Sequence, residues 1–196
     1  MDFWQLYRSR IANGATDGGL EMRYSDRKHT SLAMVEDRAV HLELGNILHT
    51  AYNEAKRYII AKEISYDLLV EFYNVNNRET VALRAGSAMT EREMSGIVSV
   101  LKRIRNPNLE IRLIGLQNGY ADPLAGIDYF AKKIKCMMVE VDLFGTDTRN
   151  IAIDTKTGLP YNLFLLNRIY RPGELANKTT VDEFKGSLKK LSFIKA

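Results

Sequence analysis

Leu109-Glu110-Ile111-Arg112-Leu113-Ile114-Gly115-Leu116 is the stretch on which the fold turns. Its near-continuous apolar run reads as an interior strand, and Asn118-Gly119 turns the chain after it. A helix is expected on either side. Upstream, Thr90-Glu91-Arg92-Glu93 is a capping box, in which the threonine hydroxyl and the Glu93 carboxylate each satisfy an orphan backbone N–H. The helix it opens carries Met94, Ile97, Val98, Leu101 and Ile104, and Asn106-Pro107-Asn108 ends it. Downstream, Asp122-Pro123 has the form of an N-cap followed by proline in the first helical position, and Leu124, Ile127, Ala131 and Ile134 follow. Thr80–Arg84 precedes the first helix as a strand, and Cys136–Phe144 follows the second as another. Two strand–helix–strand units thus share Leu109–Leu116. Right-handed crossovers make their strands parallel if they lie in one sheet.

Further out, Tyr66–Tyr73 and Thr80–Arg84 flank the turn Asn74-Val75-Asn76-Asn77-Arg78 and read as a hairpin. Asn150–Asp154 and Tyr161–Leu166 pair across Thr155-Lys156-Thr157-Gly158, forming a three-stranded meander with Cys136–Phe144. Toward the N-terminus, Asp2–Ala12 has helical spacing and Asn13–Gly19 stops it. From Val35 to Glu63 the residues Leu44, Ile47, Leu48, Ala51, Tyr52, Ala55, Tyr58 and Ile59 recur at intervals of three and four, which predicts a long amphipathic helix. A last short helix starts near Thr179 or Thr180. The expected fold is α+β: one mixed sheet of about six strands with helices packed on it. It is a single domain over 1–196 with a helical N-terminal portion, 1–63.

Composition agrees with a folded domain. Of the 196 residues, 45% are apolar and 27% charged, and a chain of this length buries roughly 70% of its unfolded surface without needing a staple. Cys136 stands alone, so an internal disulfide and CxxC zinc sites are excluded. No stretch approaches the length of a membrane helix, and the N-terminus lacks the pattern of a signal peptide. A reducing cytoplasm is the expected compartment. The net charge of +4 is mildly basic, with basic residues scattered among 24 acidic ones.

Chemistry-bearing patterns are sparse. Neither a Walker loop nor GxGxxG nor GxSxG occurs, so nucleotide-site and hydrolase fingerprints are absent. His29, His41 and His49 lack ligand spacing, and no metal site is expected. Cys136 opens a strand among apolar neighbours, the setting of an inert thiol. In sheets with parallel strands, ligands bind beyond the carboxyl ends of those strands. Here that places Asn118 and Tyr120 in one loop and Asp147 in the next. Basic residues gather at Lys102-Arg103-Arg105, Lys132-Lys133-Lys135 and Lys185-Lys189-Lys190, near predicted helix ends where the dipole favours cations. Arg168-Ile169-Tyr170-Arg171 sets an aromatic able to stack on a base between two arginines, or equally forms an edge segment after the last strand.

One catalytic constellation remains. Asp142, then eleven residues, then Asp154-Thr155-Lys156 resembles the PD-(D/E)xK nucleases in bare spacing. The resemblance implies Asp142 and Asp154 on adjacent strands, holding Mg²⁺ with Lys156 orienting water for phosphodiester cleavage. The competing reading makes Asp154–Gly158 a hairpin loop, with aspartate opening the turn and glycine in its left-handed position. With no convincing constellation and no cofactor fingerprint, the expected function is a non-enzymatic binding or regulatory protein acting through protein–protein contacts, with no cofactor. The alternatives are a metal-dependent nuclease using Asp142, Asp154 and Lys156 with Mg²⁺, or a nucleic-acid-binding protein. No membrane partner is expected, and homo-oligomerisation stays open.

Overall fold

The computed structural model of the chain describes residues 21–24, 27–86, 91–104, 108–116, 136–144 and 147–165. Among these the chain forms β1 (Glu21–Tyr24), β2 (His29–Ser31), the short helix α1 (Leu32–Val35), β3 (Ala39–His41), β4 (Ile47–Ala51), β5 (Tyr58–Ile64), β6 (Leu68–Asn74) and β7 (Glu79–Ala85). Helix α2 (Glu91–Leu101), β8 (Leu109–Gly115), β9 (Cys136–Phe144), β10 (Arg149–Asp154) and β11 (Leu159–Phe164) follow. Two mixed sheets result, ordered β1-β9-β8-β6-β7-β4 and β2-β11-β10-β5-β3.

The strands expected from Tyr66 onward appear as β6 to β11, but the expected single sheet of about six strands under several helices is corrected to two sheets with eleven strands and few helices among the described residues. β8 lies between β9 and β6, so the expected interior strand is interior, and β9 has β1 on its other side along Val141–Phe144. β8 and β9 are parallel. β7 and β8 are each antiparallel to β6, hence parallel to one another across it. The expected meander is broken: β10 and β11 pair antiparallel in the five-stranded sheet, while β9 belongs to the other.

The long helix expected from Val35 to Glu63 is also corrected. Residues 39–64 are not one long helix but β3, β4 and β5, joined by turns. Gly45 sits at φ 80° and breaks the helical pattern that Leu44, Ile47 and Leu48 suggested. Asn53 accepts the Ala55 N–H at 2.9 Å, capping a single 3-10 turn before Tyr-Ile-Ile begins β5. Intervals of three and four arise here because strands of three to seven residues alternate with short turns. The helices expected at Asp2–Ala12, after Asp122-Pro123 and near Thr179 lie outside the described residues.

β6 explains the layering. Leu68, Val70 and Phe72 join Ile97 and Leu101 of α2 in one core, together with Ile111 and Leu113 of β8 and Val141 and Leu143 of β9. The alternate residue Leu69 joins Ala82 and Ile114 in a second core with Ile59, Ala61, Ile64, Ile151 and Ile153 of the other sheet. Strand alternation therefore sends one face of the six-stranded sheet to α2 and the other to the second sheet. Leu32 and Val35 of α1 cover that sheet's far side with Ile60, Ala152 and Leu163. No helix among the described residues is long and apolar enough to cross a membrane.

Candidate functional site: a charged row between the sheets

The strand register aligns one unusual row. Ala82 of β7, Glu71 of β6, Arg112 of β8 and Glu140 of β9 are successive partners. They share the parity of Leu69 and Ile114, the face turned to the second sheet. A charge in the middle of Leu68-Leu69-Val70-Glu71-Phe72-Tyr73, and another in the middle of Leu109–Leu116, are thus placed side by side. Glu71 is fully buried, and Arg112 and Glu140 nearly so.

Arg27, Asp142 and Arg149 complete the cluster. Arg27 Nε donates to Glu140 Oε1, and its Nη1 lies 2.7 Å from Asp142 Oδ2 and 3.4 Å from Asn162 Oδ1 of β11. Arg149, at the start of β10, donates through Nε and Nη2 to Asp142 Oδ1 at 3.1 and 2.9 Å. Two guanidiniums from segments entering the second sheet thereby reach carboxylates of the first. Arg112 Nη2 donates to Glu110 at 2.7 Å, while its Nη1 stays 3.7 Å from Glu71 Oε2. At that separation attraction survives but a hydrogen bond does not, and neither Glu71 oxygen has a hydrogen-bond partner among the described residues.

The two buried acids respond in opposite directions. Burial raises the Glu71 carboxyl to about 8, with Arg112 opposing the rise and Glu140 and Glu110 adding to it. Burial also pushes Asp142 upward, but the hydrogen bond from Arg149 and the charge of Arg27 outweigh it and hold the acid below its ordinary range. Near neutrality Glu71 is therefore protonated. Among the described residues three guanidiniums (Arg27, Arg112, Arg149) then balance three carboxylates (Glu110, Glu140, Asp142), as burial in a low dielectric favours.

The nuclease candidates are placed apart. Asp142 is in β9 of the six-stranded sheet, and Asp154 ends β10 of the five-stranded one, rather than on an adjacent strand. Asp154 Oδ1 and Oδ2 accept from Arg57 Nε and Nη2 at 3.0 and 2.6 Å. Its remaining contacts make a turn: Oδ1 accepts the Lys156 N–H at 2.9 Å, and its carbonyl accepts the Gly158 N–H at 2.7 Å. Gly158 has φ 66°, and Lys156 is exposed. Among the described residues no group of three or more His, Cys, Asp or Glu side chains is placed to hold a metal ion.

Of the other candidates, Asp147 is exposed and its carbonyl accepts from Arg149 Nη1 at 2.9 Å. Asn118, Tyr120, Arg168 and Arg171 lie outside the described residues, as do the lysine clusters at 132–135 and 185–190. Lys102 and Arg103 are exposed in the turn after α2. His41 and His49 are on β3 and β4, in different sheets, rather than on one helix. Cys136 opens β9 half-buried, and burial pushes its thiol up to about 11, away from thiolate chemistry. The sequence reading missed Glu71, Arg112, Arg149 and Arg27. A lone charge inside an apolar strand run was the available signal for the first two. No family model matches the chain, and neither does any of the curated proteins it was compared with.

Proposed function

We propose that this chain is a non-enzymatic binding module acting through protein–protein contacts. The observation that carries the reading is the outer side of β9. β1 pairs only with Val141–Phe144, so Cys136–Glu140 has a strand partner on its β8 side alone among the described residues. Met137 and Val139 of that segment are exposed at 58% and 37%. An extended partner segment matches such an edge, because its backbone supplies the alternating donors and acceptors while side chains cover the two apolar residues. The carboxylates offer less to a catalytic reading: Asp142 is engaged by two guanidiniums and Asp154 by one.

A photo-crosslinker at Met137 should join the native protein to one protein partner, and Val139→Pro, which removes a backbone donor, should abolish that product. Mg²⁺-dependent cleavage of DNA or RNA by the wild type, lost in Lys156→Ala, would overturn the reading in favour of a nuclease.

A further inference from the structure

A second surface, independent of the β9 edge, is built from five separate parts of the chain. Arg38 follows α1, Tyr52 follows β4, and Arg57 and Tyr58 open β5. Arg78 is in the β6–β7 turn and Lys156 in the β10–β11 turn. The Tyr52 N–H donates to the Arg78 carbonyl at 2.9 Å, and the Tyr73 hydroxyl donates to the Lys156 carbonyl at 2.8 Å. Those bonds fix the two turns against the sheets.

The side chains converge on two rings. Arg78 and Lys156 stand over Tyr52 at 5.8 and 6.0 Å from its centre. Arg38 and Arg57 stand over Tyr58 at 5.6 and 5.3 Å. Glu54 links the pairs: it accepts from the Tyr52 hydroxyl, and Arg38 donates to it at 2.9 Å. Arg57 is anchored by Asp154. Arg78 and Lys156 are exposed, and neither forms an ion pair among the described residues. Two anchored cations thus orient one ring, while two exposed cations, in no ion pair among the described residues, flank the other.

We propose that this surface binds single-stranded nucleic acid, with Tyr52 as the stacking platform and Arg78 and Lys156 contacting phosphates. Unpaired bases expose the flat faces that tyrosine rings stack on, and duplex DNA hides them. Phosphates recruit exposed lysine and arginine with release of counterions. An acidic peptide would use the cations but gain nothing from the Tyr52 ring. Glu54, exposed and hydrogen-bonded to the Tyr52 hydroxyl, is unfavourable to a phosphate and sets the affinity below what the cations alone would give.

The test is fluorescence anisotropy of a labelled oligothymidylate of about 16 nucleotides with the full chain. Binding should weaken about tenfold between roughly 50 and 200 mM salt. Arg78→Glu with Lys156→Glu should weaken it about tenfold or more at low salt, and Tyr52→Leu about fivefold or more. Glu54→Gln should strengthen it, and a duplex of the same length should bind less tightly. Melting curves establish that each variant is folded, and Lys156→Glu alone, at an exposed turn, serves if Tyr52→Leu is not. Absent binding at low salt, an affinity unmoved by charge reversal, or an affinity unmoved by Tyr52→Leu in a folded variant would overturn the proposal. So would displacement of the oligonucleotide by polyglutamate as readily as by unlabelled oligonucleotide. None of these outcomes touches the β9 edge, so this inference and the protein-contact reading fail separately.

Discussion

Replacing Glu71 by glutamine should make stability less dependent on pH, leaving the two proteins alike in acid and the variant the more stable one in base. The carboxyl moves from an ordinary value of 4.5 to about 8 on folding, so the folded state holds a proton that the unfolded chain releases between those values. For a group whose folded value is raised, the contribution is fully present below 4.5, is lost steadily as pH rises toward 8, and is flat above that. Each pH unit corresponds to about 1.4 kcal/mol. The wild type should therefore lose about 3 kcal/mol between pH 4.5 and 7, and about 5 kcal/mol by pH 9, relative to Glu71→Gln. Glutamine keeps the shape and carries no titrating proton. Urea unfolding followed by circular dichroism at pH 5, 7 and 9 measures both proteins. A constant stability difference across that range would show that Glu71 does not carry a proton into the folded state, and the charge balance argued for the inter-sheet row would fail with it.

Two further substitutions separate structure from chemistry. Gly158→Val should cost more than about 2 kcal/mol, since a β-branched residue is forced to positive φ and its Cβ runs into the Tyr73 ring. Lys156→Ala in the same turn should stay within about 0.5 kcal/mol, and chemical denaturation compares the two. Asp142→Asn should lower stability by about 3 kcal/mol, because it leaves the buried Arg27 and Arg149 guanidiniums short of a counter-charge. An unchanged melting temperature for Asp142→Asn would instead mark the carboxylate as one held apart for a metal.

The carbonyl and carboxylate of Asp154 both make the bonds that an aspartate opening a turn is chosen for. That is why this hairpin could be read from five consecutive residues. The inter-sheet row could not. Glu71 and Arg112 lie far apart in sequence and become neighbours only through the β6–β8 register, while Arg27 and Arg149 arrive from segments of the other sheet.

What the amino-acid sequence determined by itself was local: six strands from Leu68 to Phe164, the parallel relation of β8 to β9, and a helix beginning just after Thr90. Each follows from apolar periodicity and turn chemistry within a window of a dozen residues. The tertiary structure alone decided which strands share a sheet. Four residues separate β9 from β10, a spacing that suits a hairpin, yet β10 finds β5 in the other sheet. It likewise turned the intervals of Val35–Glu63 into three strands. Backbone pairing partners are chosen by burial of whole faces against each other, and a strand of three residues such as β3 has no stability until that face exists. The partner lies across the sheet, so its identity cannot be read from the strand's own residues.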